Sequence, residues 1–207
     1  MKQLVVLCHP LSEHLNKLIS TEMQSLSEKY RLEFELRDLY KTGFNPIVSA
    51  GDIVAANEGR VLDDVLTEQE YVRNADLLIF IYPMLGMGMP AMMKGYIDRV
   101  FSEKFVCSIA GDRINKPLKK KKVILIHFFE HDSNYMEAAF YEQSVKQERQ
   151  LFECFGMDVI FQYSMENVNF GNEVSLLKAK VEDLVKIVKN TLMVNRNSRL
   201  TIPNVFF

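Results

Sequence analysis

The sequence predicts an α/β protein, a doubly wound parallel sheet with helices on both faces. Three observations predict it. Residues 4–8, 77–82, 123–129 and 159–163 are short apolar runs, the mark of strands buried on both sides. Between them lie stretches whose apolar residues recur at helical spacing. The order through the chain is β-α-β-α-β-α-β-α-β, and strands alternating with helices build a parallel sheet. Five strands allow the order 2-1-3-4-5, whose ligand crevice lies at the carboxyl ends of strands 1 and 3.

The first strand is residues 4–8, after which His9-Pro10 breaks the pattern. Leu15, Leu18, Ile19, Met23 and Leu26 then put one apolar face on a helix running to about Tyr30. Residues 32–36 alternate apolar and charged, which suits the second strand. Asp38-Leu39-Tyr40 and the turn Phe44-Asn45-Pro46 follow, then a brief helix near 51–56 within a surface loop. Residues 67–74 read as a helix with Thr67 as N-cap and Glu70 as its capping-box partner. Strand 3, residues 77–82, leads into a loop holding Gly86 and Gly88. Pro90 then suits a first helical turn, because its missing N–H would lack a partner there anyway. Met93, Ile97, Val100 and Phe101 supply the buried face of that helix.

Residues 102–118 read as loop, and the run Lys119 to Lys122 as a solvated turn before strand 4. A helix over 137–155 is closed by Gly156 as its cap. Strand 5 follows, then a last helix over 174–188 with Leu177, Val181, Leu184, Val185 and Val188 on one face. The apolar end of the tail can pack on its own domain or on a partner subunit. One domain over residues 1–190 and a C-terminal tail over 191–207 are expected.

Composition narrows the function classes. A net charge of −2 over 207 residues gives no electrostatic case for nucleic acid or a membrane surface. Cys8, Cys107 and Cys154 are too few and too scattered for a disulfide framework or a metal site, and fit a reducing, cytoplasmic home. No apolar run approaches the ~20 residues of a membrane span, and the early first strand leaves no room for a signal peptide. The pairs His9/His14 and His127/His131 lack the helical arrangement of a zinc enzyme. The Gly-x-Ser-x-Gly elbow, the Walker GxxxxGK[ST] loop and a GxGxxG after strand 1 are all missing.

Three loops leave the carboxyl ends of strands 1, 3 and 4. In the first, Ser12 and Asn16 stand around the start of a helix, whose free N–H groups and macrodipole favour a phosphate. In the second, Gly86 and Gly88 let the backbone approach a flat ring closely. The third carries His131, Ser133 and Tyr135, all able to donate or share a proton.

These residues resemble the flavodoxin-like NAD(P)H:quinone oxidoreductases, over about residues 1 to 165. Four pieces carry the resemblance: His9-Pro10 with Ser12 and Leu15-Asn16; Asp38-Leu39-Tyr40…Gly43-Phe44-Asn45-Pro46…Ser49…Asp52; Glu68-Gln69 ahead of Ala75-Asp76; and Tyr82-Pro83…Gly88-Met89-Pro90-Ala91…Lys94-Gly95-Tyr96…Asp98-Arg99-Val100-Phe101. The last is the most specific. The resemblance implies a flavodoxin-like three-layer sandwich and a flavin, FAD or alternatively FMN, between strands 1 and 3. It places His9, Ser12, Leu15, Asn16 and Gln69 by the phosphate and ribityl groups. It places Pro83, Met84, Leu85, Gly86 and Met87 along the isoalloxazine, with Tyr135 and His131 as candidate catalytic groups.

The implied reaction is ping-pong: NAD(P)H gives a hydride to flavin N5 and leaves, and a quinone-like acceptor takes its place. The implied assembly is a homodimer. Two positions depart from the family. Gly86-Met87 stands where an aromatic residue is usual, and His127-Phe128-Phe129-Glu130 stands where the family has Thr-Thr-Gly-Gly. These departures motivate an alternative: an ancillary regulatory subunit of a membrane transporter, on the same fold, with weak or absent flavin binding.

Overall fold

The computed structural model describes residues 2–10, 12–30, 32–86, 88–110, 113–129 and 138–165, with single helical positions at 182, 186 and 189. Its elements in chain order are β1 (Lys2–Leu7), α1 (Ser12–Tyr30), β2 (Glu33–Asp38), α2 (Ala50–Asn57), α3 (Asp63–Asn74) and β3 (Leu77–Pro83). There follow α4 (Ala91–Val100), α5 (Glu103–Val106), β4 (Ser108–Ala110), β5 (Arg113–Asn115), β6 (Lys122–Phe128), α6 (Ala138–Cys154) and β7 (Asp158–Met165). Five strands form one parallel sheet in the order β2-β1-β3-β6-β7, which is the predicted 2-1-3-4-5. The last predicted helix and the tail lie outside the described residues, apart from the three single helical positions.

The pleat sends alternate residues to opposite faces, so each central strand feeds two cores. Leu4, Val6, Leu78, Phe80, Val123 and Leu125 join Val72, Met93, Ile97 and Phe152 on one face. Val5, Leu7, Ile79, Ile81, Ile124 and Ile126 pack with Ile19 and Met23 of α1 on the other. Burial on both faces is why these strands read as continuous apolar runs rather than alternating ones.

The segment after β2 is clamped to α4. Arg99 donates to Asp52 at 3.0 Å, to Asp64 at 2.6 Å and to the Asn45 carbonyl at 2.8 Å. Gly95 lets the chain pass against the helix: a Cβ there would run into the carbonyl oxygen and Cβ of Pro46. These contacts give the most specific sequence piece a structural job, since Gly95 and Arg99 hold the Phe44-Asn45-Pro46 turn in place.

Several expectations are corrected. Thr67 is not an N-cap: α3 starts at Asp63, and the Thr67 hydroxyl donates back to the Asp63 carbonyl at 2.9 Å. The acidic pair Asp63-Asp64 occupies the first turn, where negative charge is favoured by the helix dipole. The capping box lies instead at α2, where Ser49 and Asp52 satisfy each other's backbone N–H groups. Residues 102–118 are more than loop, for they hold α5 and the antiparallel pair β4–β5. Lys121 is not simply solvated: its half-buried ammonium donates to the Arg73 and Ala75 carbonyls at 2.7 and 2.6 Å, closing the end of α3. Burial lowers its pKa. Gly156 does cap α6, at φ +86.

Candidate functional site

The carboxyl edge of the sheet is tied together one residue beyond its strands. Cys8 N–H donates to Ile81 at 2.9 Å, Met84 N–H to Phe128 at 2.9 Å, and Phe129 N–H to Met165 at 2.8 Å. Strands β2 and β3 lie on opposite sides of β1, so the connections leaving β1 and β3 diverge at this edge and open the crevice expected of the fold.

His9 leaves β1 and is buried, with its ring edge-on to Phe128 at 6.4 Å. Helix α1 begins at Ser12, so Ser12, Leu15 and Asn16 occupy its first turns, where backbone N–H groups lack intrahelical partners. The side chains of these three lie outside the described residues. On the neighbouring strand, Pro83 is the buried last residue of β3 and Met84 is half-buried. Leu85 and Gly88 exchange backbone hydrogen bonds of 3.0 and 3.2 Å, closing a tight turn that Gly86 enters. Gly86 sits at φ +55, in the left-handed region that glycine adopts without cost. A Cβ at Gly86 or Gly88 would meet nothing within 4 Å, so the turn's backbone faces open space. Leu85 beside it is 54% exposed. Met87 lies outside the described residues.

This donor set fits a flavin. A helix N-terminus suits its phosphate, and an open glycine turn with an exposed leucine suits the edge and face of a planar ring. Among the described residues no cluster of three or more His, Cys, Asp or Glu could hold a metal ion.

Gln69 stands apart from this edge. It is buried on α3, its amide nitrogen donating to the Val100 carbonyl at 2.9 Å and its oxygen accepting from Arg73 at 3.3 Å. It joins α3 to the far end of α4, and its amide is committed to that contact. His131 and Tyr135 lie outside the described residues, as does Glu130.

His127 and Phe128 do not project into the loop after β6. They are its last two residues, sent by the pleat to opposite faces and fully buried. Phe128 packs in the α1-side core. His127 pairs in register with Tyr82 of β3, and both meet α6. Tyr82 Oη donates to Glu148 Oε2 at 3.0 Å and lies 3.1 Å from His127 Nε2. His127 Nε2 is 2.8 Å from the same carboxylate oxygen, and Ser164 Oγ is 3.4 Å from Nδ1. Burial, and then the neighbouring Glu148 carboxylate, push the Tyr82 phenol well above its ordinary range, so it stays protonated and donates.

Sequence reasoning missed this cluster, although a signal existed. Tyr82 and His127 are polar residues inside runs that are otherwise apolar. Glu148 falls on the stripe of α6 marked by the buried Val145 and Phe152, three residues before it and four after. Cys8 is also buried nearby, its thiol pushed up to about 12 chiefly by burial, which leaves it an inert core residue.

The comparisons with known proteins agree with the geometry. The family described as having a flavodoxin-like fold matches residues 1–188. An uncharacterized NAD(P)H oxidoreductase of Haemophilus influenzae is 33% identical over 124 residues, 59% of this chain and 61% of that protein. NAD(P)H dehydrogenase [quinone] 1 of Cavia porcellus is 30% identical over 141 residues, 60% of this chain and 51% of that protein. The chain thus spans between about half and three-fifths of these relatives' length. Among solved structures, an NAD(P)H:quinone oxidoreductase from Methanothermobacter marburgensis superposes with a TM-score of 0.71 at 17% identity, covering 91% of this chain and 98% of that one. At that identity the likeness speaks for the fold alone. Sheet order, the crevice between β1 and β3, and a match running through nearly the whole chain agree, and the chain belongs to the flavodoxin-like fold family.

Proposed function

We propose that this protein is a flavin-dependent NAD(P)H oxidoreductase acting on a quinone or a related acceptor. The observation that carries the reading is the pairing, across β1 and β3, of a helix N-terminus with an open glycine turn. The oxidoreductases of Haemophilus influenzae and Cavia porcellus support the reaction class. The reading of the chain as an ancillary transporter subunit gains no support from those relatives.

In this reading His9, Ser12, Leu15 and Asn16 hold the phosphate and ribityl groups. The backbone at Gly86-Met87 meets the ring's polar edge, while Pro83, Met84 and Leu85 keep water from its face. Gln69 drops out of the set because both ends of its amide are already bonded. FAD is the first expectation and FMN the alternative. The flavin, when bound, supplies hydride acceptance and donation. The chain's own work is to orient NAD(P)H and then the acceptor over one face, with Tyr135 and His131 as proton donors. Residues 1–190 act as one domain and 191–207 as a tail. A homodimer is part of the proposal: Ile47, Val48, Ile53 and Val54 are each at least half exposed within one short segment, an apolar surface a second copy would cover. Among the described residues no helix is long and apolar enough to cross a membrane, in keeping with a cytoplasmic enzyme.

Extraction and chromatography of whatever co-purifies tests the proposal most directly. The expected result is FAD or FMN, with menadione-dependent consumption of NAD(P)H. Asn16→Ala and Pro83→Gly should each lower flavin retention. A colourless protein that neither flavin reconstitutes would overturn the reading.

A further inference from the structure

The buried polar cluster under the carboxyl edge has no part in the binding roles above. Tyr82 and His127 stand one residue below Pro83 and Phe128, the last residues of β3 and β6 at the carboxyl edge. Glu148 reaches them from α6 and is 7% exposed. Its Oε2 receives both contacts, while its Oε1 is buried without a hydrogen-bond partner. Among the described residues no permanent cation balances it there: those that face the cluster are Cys8 from β1, Tyr82 from β3, His127 from β6, Ser164 from β7 and Glu148 itself. On α4 it is the uncharged Met93 that meets Cys8. A carboxylate taken out of water needs a compensating charge or a proton. Among the described residues the group in reach that can supply a charge is the His127 imidazole, and it can do so only by holding a proton.

We propose that Tyr82, His127 and Glu148 form a proton-binding site beneath the crevice floor, with Glu148 the positioning residue, and that its charge sets how tightly the edge holds an anionic cofactor. The proton comes from solvent and makes His127 an imidazolium, with a proton on each ring nitrogen and Nε2–H directed at Glu148 Oε2; no bond to carbon changes and no electron moves. With the proton the site is neutral overall. Without it a net negative charge lies below the floor and opposes phosphate-bearing ligands. Affinity therefore falls as pH rises. The last step rests on the flavin reading, while the proton site itself does not.

Two measurements separate these layers. The first uses flavin-free protein and nitrogen-15 NMR of the imidazoles, with His127 assigned by His127→Gln. The expected result at pH 6.5 is a proton on both ring nitrogens in the wild type, and a changed His127 signal in Glu148→Gln and in Tyr82→Phe. A wild-type His127 holding a single ring proton at that pH would overturn the proton site, and that observation requires no variant to fold. The second titrates FAD at pH 6.5 and 8.5, a cofactor whose diphosphate does not titrate between them. The wild-type Kd should rise about fivefold with pH, the size of one unit charge acting through a partly screened medium, and Glu148→Gln should flatten that ratio. An equal ratio in both proteins would overturn the coupling. Failure of FAD and FMN to bind at all would sink the flavin reading and the coupling together, and leave the first measurement standing.

Discussion

Among the described residues two glutamates are buried, each beneath a tyrosine hydroxyl, and they are solved in opposite ways. Glu68 on α3 is met by Arg37 of β2 at 2.5 Å and by Tyr96 of α4 at 3.3 Å. Glu148 on α6 is met by His127 at 2.8 Å and Tyr82 at 3.0 Å. Arginine cannot give up its proton in a protein, so the charge of Glu68 is balanced at every working pH. Histidine can, so the balance at Glu148 is conditional. Both oxygens of Glu68 are bonded, whereas one oxygen of Glu148 is orphaned. The α3–α4 wall is thus a permanent clamp. The β3–β6–α6 corner, one residue below the carboxyl ends of its strands, is a polar site that a change of proton can alter.

The comparison can be broken by removing the partner on each side. Arg37→Met should cost the most, about 3 kcal/mol, because it strands a buried carboxylate. The double variant Arg37→Met/Glu68→Leu should recover most of that in denaturant unfolding; no recovery would mean that the ion pair is not what Arg37 contributes. Gly95→Ala comes next, at about 2 kcal/mol, since its Cβ would meet the Pro46 backbone and the segment after β2 must move. Unchanged thermal stability would show that this clamp yields freely. Tyr82→Phe should cost about 1 kcal/mol, one hydrogen bond to a carboxylate that keeps its other partner. A loss as large as that of Arg37→Met would make the two corners equivalent and erase the distinction.

The smallest effect sharpens the clamp's pH behaviour. Burial works against the charge of Asp52, but the Ser49 hydroxyl and N–H and the Arg99 guanidinium outweigh it and hold its carboxyl below the ordinary 3.8. A lowered carboxyl stabilises the fold above its unfolded value and loses that contribution as pH falls through the folded one. Asp52→Asn should therefore be less stable than the wild type near neutrality, by about 0.5 kcal/mol for a pair at the surface's edge, with the gap closing in acid. A gap that widens in acid would contradict the assignment.

Legibility in the sequence followed the range of the interactions. Strand and helix periodicity is local, and the apolar runs at 77–82 and 123–129 come within a residue of β3 and β6. Thr67 and Ser49 are each followed three residues on by an acid that could complete a capping box. Only the helix start separates them: α2 begins just after Ser49, whereas α3 begins four residues before Thr67. The short pair β4–β5 carries too few residues to leave a period.

At the site, the glycine turn and the start of α1 were legible because each is a property of a few consecutive residues. The contact of Gln69 with Val100 was not legible, because that partner lies on another helix. The corner of Tyr82, His127 and Glu148 joins three elements spread over 66 positions, and no window of sequence spans it.

By itself, then, the sequence determined the strands, the helices and their alternation, and allowed the sheet order, because hydrophobic periodicity and glycine geometry are written locally. Only the tertiary structure decided which buried charges are balanced by a fixed cation and which by a proton. That depends on which side chains the sheet brings opposite one another, and burial then makes every such pairing count.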